Sequence, residues 1–126
     1  MKSFVIADMG DRDIAIKEVQ FLAYLNCEEI INCIEHYEHK RKIYMIFEFM
    51  EAGPISNLIK KSVSGGFTFS EDFCKYTLYK ITKALDNMHS KNILHRDFNS
   101  TNVHFDIDGS IKLTDMSRAT NLTEQS

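Results

Sequence analysis

The sequence predicts an α+β fold. Three observations carry that reading: a helix-period stripe that follows a serine cap at Ser70, two β-rich runs divided by charged residues, and a hairpin signal centred on Asp108-Gly109. Of the 126 residues, 44% are hydrophobic and 26% charged, the balance of a globular chain rather than a disordered or fibrous one. One domain, or part of one, is expected at this length.

Each element has its own signal. From Asp11 to Leu25 the apolar residues Ile14, Phe21, Leu22 and Leu25 fall near one helical face, with Asp11 placed to cap it. Ile30 to Tyr37 and Ile43 to Met50 are rich in branched and aromatic residues, and the charged turn Glu38 to Lys42 between them predicts an antiparallel pair. Glu51-Ala52-Gly53-Pro54 ends the second strand, a short helix covers Ile55 to Ser62, and Ser64-Gly65-Gly66 is a flexible break. Ser70 then caps a helix running to about Ser90, with Glu71 and Asp72 suited to its positive end. Cys74, Leu78, Ile81, Leu85 and Met88 form its expected core stripe.

Composition excludes several function classes. A net charge of −3 and a pI of about 5.9 give no basic stripe to neutralise phosphate backbones, so nucleic acid is not an expected partner. No apolar run approaches the roughly 20 residues that cross a bilayer, and no membrane partner is expected. Cys27, Cys33 and Cys74 are an odd number of thiols without a leader sequence, which fits reduced cysteines in the cytoplasm. The sequons Asn99-Ser100-Thr101 and Asn121-Leu122-Thr123 matter only in a secreted protein and are discounted. Cys27, Cys33, His36 and His39 fit neither the two-cysteine knuckle nor the histidine gap of a zinc site. The aromatic set Phe67, Phe69, Phe73, Tyr76 and Tyr79 reads as core packing around a helix start.

The hairpin carries the chemistry. With Asp108-Gly109 as a two-residue loop, Ile107 pairs with Ser110, and counting outward sets Asn102 opposite Asp115 at the open end. Paired Cβ atoms lie about 5 Å apart. A carboxylate and an amide oxygen so placed suit magnesium, which takes a few protein oxygens together with substrate phosphates. In an arbitrary hairpin such residues more often cap strand ends. His95-Arg96-Asp97, a few positions upstream, tilts the balance by setting a second carboxylate beside the pair, where it could accept a proton from an attacking hydroxyl.

His95-Arg96-Asp97-Phe98-Asn99-Ser100-Thr101-Asn102 resembles the catalytic loop of protein kinases, and Asp115-Met116-Ser117 stands where that family has Asp-Phe-Gly. The resemblance covers essentially the whole chain, and the tail from Lys112 to Ser126 is similar to PAK-type kinases of the Sterile group. It implies a partial bilobal kinase fold truncated at both ends: residues 1–47 from the N-lobe with the C-helix and hinge strands, 48–53 the hinge, and 54–126 the start of the C-lobe to the activation segment. It further implies Ser/Thr protein kinase chemistry, with ATP and Mg2+ as cofactors and a protein substrate or regulatory protein as partner. Asp97 would be the base, Asn102 and Asp115 the metal ligands, and Glu18 the partner of the strand lysine. Phe47 would be the gatekeeper, with the backbone of Glu48 and Met50 at the adenine edge. Leu22, Ile34, His95 and Met116 would stack as the spine between lobes.

The departures from the family pattern count against catalysis by the isolated chain. There is no glycine-rich loop, and Lys2 stands sixteen residues before Glu18 without the expected Val-Ala-Ile, so Met1-Lys2 is read as lying just after the strand lysine. Asn99 replaces the lysine that touches the transferring phosphate. His104 replaces an apolar floor beneath adenine, Ser117 replaces the motif glycine, and Cys27-Glu28-Glu29 replaces His-x-Asn after the C-helix. Two alternatives follow: a pseudokinase-like binding module, or a decayed gene copy that exposes an apolar face on the hairpin and C-helix.

Overall fold

The N-terminal third of the chain wraps one long helix against a small antiparallel sheet. The computed structural model describes residues 2–5 and 9–125, with side chains from 10 to 123. Strand β1 (Lys2–Val5) precedes helix α1 (Met9–Leu25), and β2 (Cys33–His39) and β3 (Lys42–Phe47) form a hairpin, with the sheet ordered β1-β3-β2. His39 pairs with Lys42 across a two-residue loop in which Lys40 and Arg41 both adopt positive φ, the turn whose twist matches that of its strands.

Both strands are shorter than the sequence predicts. Ile30 and Ile31 are buried, but they join the C-terminal half through a parallel bridge between Ile30 and Leu113 and an Ile31 N–H donated to Leu113 O at 3.0 Å. The second strand stops at Phe47 because Glu48 turns to meet Asn32, which donates its backbone N–H to Glu48 Oε1 at 2.7 Å. A bulge between Cys33 and Glu35 shifts the alternation, so Ile34 is 63% exposed while Cys33 packs on the core. The expected stack of Leu22, Ile34, His95 and Met116 therefore loses Ile34, and the other three are buried. Along α1 the inward residues are Ala15, Glu18, Phe21, Leu22 and Leu25, and Ile14 lies half exposed.

The rest is helical with short strands. Beyond β4 (Gly53–Pro54), α2 (Ile55–Gly65) runs three residues past its expected end and closes on Gly66, whose left-handed backbone donates to Ser62 O. Helix α3 (Glu71–Ser90) begins as predicted, with Ser70 Oγ accepting the Phe73 N–H at 3.2 Å. Its buried residues are Thr77, Ala84 and Met88, with Phe73, Ile81 and Leu85 partly covered. Cys74 and Leu78 are exposed, so the expected stripe was centred too far round the helix. Of the aromatic set, Phe73 stacks on Phe105 at 5.5 Å and on Phe69 at 5.2 Å, whereas Phe67, Tyr76 and Tyr79 face outward.

Strands β5 (Ile93–Leu94) and β8 (Thr120–Asn121) pair at the edge of this half, and a 3-10 turn covers Leu122–Gln125. The hairpin β6 (Val103–Phe105) and β7 (Ile111–Leu113) joins β4 in the order β4-β6-β7. Its register differs from the expected one by a residue: Val103 pairs with Leu113 and Phe105 with Ile111. Asp106 N–H bonds Ser110 O, leaving a three-residue loop closed by Gly109 at φ +88°. A loop that ends on a left-handed glycine adds one residue to the two-residue turn. Ile107 thus does not pair with Ser110, and the partner of Asn102 is Thr114, which donates to Asn102 O at 2.8 Å. Val103, Phe105, Ile111 and Leu113 are buried, and the exposed apolar side chains include Ile107 in the hairpin loop, Ile14 and Tyr24 on α1, and others on α2 and α3. Among the described residues no helix is long and apolar enough to cross a membrane.

Candidate functional site

The loop after β5 is organised around a buried histidine. His95 Nδ1 accepts the Asp97 N–H at 3.2 Å, so Nε2 carries the proton and donates to Thr114 O at 2.9 Å. One ring thereby ties the loop to the end of the hairpin. Arg96 takes φ +62° and donates Nε–H to Arg118 O at 2.7 Å, linking the loop to the segment beyond β7.

Asp97 is gripped by two amides. Asn102 Nδ2 donates to Asp97 O at 2.8 Å and to Oδ2 at 3.3 Å, and Asn99 Nδ2 donates to Asp97 O at 3.0 Å and to Oδ1 at 3.2 Å. With its nitrogen committed to Asp97, Asn102 has Oδ1 as the atom suited to a cation. Asn99 Oδ1 accepts the Thr101 N–H at 2.8 Å. Asn99 is thus a neutral amide that braces the Asp97 carboxylate.

Asp115 sits one residue past the Asn102–Thr114 pair, at φ +63°. Its Oδ1 accepts the Ser117 N–H at 3.2 Å and the Ser117 hydroxyl at 2.6 Å. Glu18, 1% exposed, accepts the Met116 N–H on Oε1 at 3.3 Å, so α1 reaches the segment that carries Asp115.

A cavity of about 500 Å³ opens between the two halves. Seven of the nine candidate residues read from the sequence line it: Glu18, Phe47, Glu48, Met50, Asn102, His104 and Asp115. Asp97 stands beside it through the Asn102 amide, and Asn99 is joined to Asp97 by its own amide. Ile31, Phe49, Glu51, Gly53 and Thr114 complete the wall and were not singled out as site residues in the sequence. His104 is half buried with Nε2 3.2 Å from Thr101 O, and burial pulls its pKa below the usual imidazole value although that carbonyl opposes the shift. The lining joins an apolar body to two hard oxygen groups at one end, which suits a base and its phosphates with a divalent cation.

Sequence reasoning missed the ion cluster behind this cavity. Glu29 is 4% exposed and meets Lys83 at 3.0 Å, Lys80 at 3.3 Å and the Cys27 thiol at 3.3 Å. Burial pushes its carboxyl up, but the Lys83, Cys27 and Lys80 hydrogen bonds outweigh that and leave its pKa at about 2. Lys112 adds contacts to Glu28 O at 2.8 Å and to Glu48 at 3.0 Å. The one available signal was Lys80 and Lys83 three apart on a single helix face.

Comparison with known proteins decides the family: the family model of the protein kinase domain matches residues 2–126. The chain belongs to the protein kinase family. It is 28% identical over 124 residues to the serine/threonine-protein kinase STE20 of Debaryomyces hansenii, covering 98% of this chain and 11% of that protein. It is 31% identical over 116 residues to the probable serine/threonine-protein kinase mkcD of Dictyostelium discoideum, covering 91% of this chain and 17% of the relative. It is 29% identical over 104 residues to the serine/threonine-protein kinase pakA of Talaromyces marneffei, covering 82% and 15%. The chain thus spans a small part of the curated relatives it matches. Its helices and small antiparallel sheets are consistent with part of the α+β kinase fold.

Proposed function

We propose that the cavity is the nucleotide site of a Ser/Thr protein kinase, with ATP bound against Phe47, Met50 and His104 and magnesium held by Asn102 Oδ1 and Asp115. The observation that carries the reading is the convergence of Glu18, Asn102, Asp115 and the Glu48–Met50 segment on one cavity. The donor set fits the cation, being one carboxylate and one amide oxygen with room for phosphates. Magnesium-ATP, when bound, supplies the phosphoryl group and neutralises its charge.

The chain's own residues do the rest. Asp97, oriented by two amide donors, accepts the proton of a Ser or Thr hydroxyl of a protein substrate. His95 holds the loop on the hairpin so that base and metal ligands keep their spacing. Residues 1–47, 48–53 and 54–126 are then the N-lobe part, the hinge and the C-lobe part of a cytoplasmic kinase domain. Lys2 lies in β1 opposite Met45, and its side chain falls outside the described residues, as does the reading that places it after the strand lysine.

A binding module without catalysis is the second reading, favoured by the Asn99 amide in place of a cation and by the Ser117 hydroxyl on Asp115. Labelled ATP and a mixture of Ser and Thr peptides separate the two. Transfer that Asp97→Asn abolishes while ATP binding survives supports the kinase; ATP binding with no transfer by the parent chain supports the module.

A further inference from the structure

Helix α1 ends without a cation in its own last turn, yet its last carbonyls are not left to water. Asn26, at φ +38°, donates its N–H to Leu22 O at 3.4 Å. Two of the remaining acceptors are met from 66 and 67 positions away: Lys91 Nζ donates to Leu25 O at 2.8 Å and to Tyr24 O at 2.9 Å, and lies 5.0 Å from the centre of the Tyr24 ring. A helix C-terminus carries partial negative charge on those carbonyls, and an ammonium donating to two of them beneath an aromatic ring is held by three attractions at once.

Lys91 is itself the C-cap of α3, with its backbone N–H bonded to Met88 O at 3.1 Å. One residue therefore closes two helices, one in each half of the molecule. Glu18 stands seven residues before Leu25, nearly two turns and about 10 Å along the same face of α1. Its bond to the Met116 N–H depends on where that face points.

We infer that Lys91 is a positioning residue: it pins the C-terminal end of α1 to the end of α3 and so fixes the angle at which Glu18 reaches the Asp115-Met116-Ser117 segment. Motion of α1 is then a swing about this pinned end, with the Glu18 level displaced more than the Leu25 level. The consequence for catalysis rests on the role of Glu18 proposed above, while the contact itself does not.

Hydrogen exchange of the whole chain without nucleotide keeps the two apart. In Lys91→Met, which keeps an apolar stem and removes the charge, the Met116 amide is expected to exchange at least about tenfold faster relative to amides in the middle of α3, a loss comparable to one charge-assisted hydrogen bond. Lys91→Arg should restore most of the protection. Unchanged Met116 exchange in Lys91→Met, or an equal acceleration throughout α3, overturns the inference. Should Lys91→Met fail to fold, Tyr24→Ala, at a 60% exposed position, is expected to give the same pattern at a few-fold scale, and unchanged Met116 exchange there overturns it equally.

Discussion

At the residue scale the site is a set of oxygens and amides held by neighbours close in sequence. Asp97 is braced by Asn99 and Asn102, and Asp115 by Ser117. Asn99 bonds Asp97 through its amide nitrogen and the Thr101 N–H through its oxygen, so it holds the loop by short local bonds. His104 is the clearest single test of the proposed nucleotide site, because it lines the cavity with a half-buried ring whose charged form is disfavoured by burial, where an apolar side chain would give a base more contact. His104→Leu is expected to tighten ATP binding by roughly fivefold, about 1 kcal/mol of apolar contact, measured by titration calorimetry. Weaker binding in that variant would show the imidazole making a contact that the ligand uses.

At the element scale the turn after α1 is welded to the C-terminal half. Leu113 donates its N–H to Glu29 O at 2.8 Å while Lys80 and Lys83 close on the Glu29 side chain. Glu29→Gln is expected to lower stability by about 2 kcal/mol, less than a fully buried pair because Lys83 remains 45% exposed. The pH sign follows from the lowered pKa. A carboxyl at about 2 in the folded chain, against about 4.5 ordinarily, contributes stability that is complete above 4.5 and lost as pH falls toward 2. Denaturation midpoints between pH 7 and 3 should fall for the parent and fall less for Glu29→Gln.

How much of this was legible also varies by element. Helix α3 was readable because Ser70 and the acidic first turn mark its start locally, but its buried face depends on which neighbours arrive, so Cys74 and Leu78 were misplaced. The hairpin was readable and its register was not: Asp108-Gly109 serves a two-residue or a three-residue loop equally well, and one residue separates the two. Asn102 and Asp115 still reach one cavity because Asp115 turns at positive φ beyond the ladder. Ile34 was lost to a bulge that period-two counting cannot see. Glu29 and Lys91 act across more than fifty positions, beyond any local pattern.

At the scale of the whole molecule the cavity lies between two halves that share one main core, while α2 and α3 carry apolar side chains on the surface. Val63 is 79% exposed and Leu78 66%. Such residues promote self-association when they cluster. The double change Val63→Lys with Leu78→Glu is expected to reduce concentration-dependent light scattering while leaving the melting midpoint within about 2 °C, since exposed substitutions shift stability little.

On the proposed reading one cavity holds a nucleotide and a divalent cation together. A thermal melt of the chain with ATP, with magnesium and with both, repeated for Asp115→Asn, tests it most directly, because a ligand that binds only the folded state raises its stability by mass action. The expected result is a rise that needs both components in the parent and loses its magnesium dependence in Asp115→Asn. No rise with both together, or an equal rise in the variant, would contradict the site.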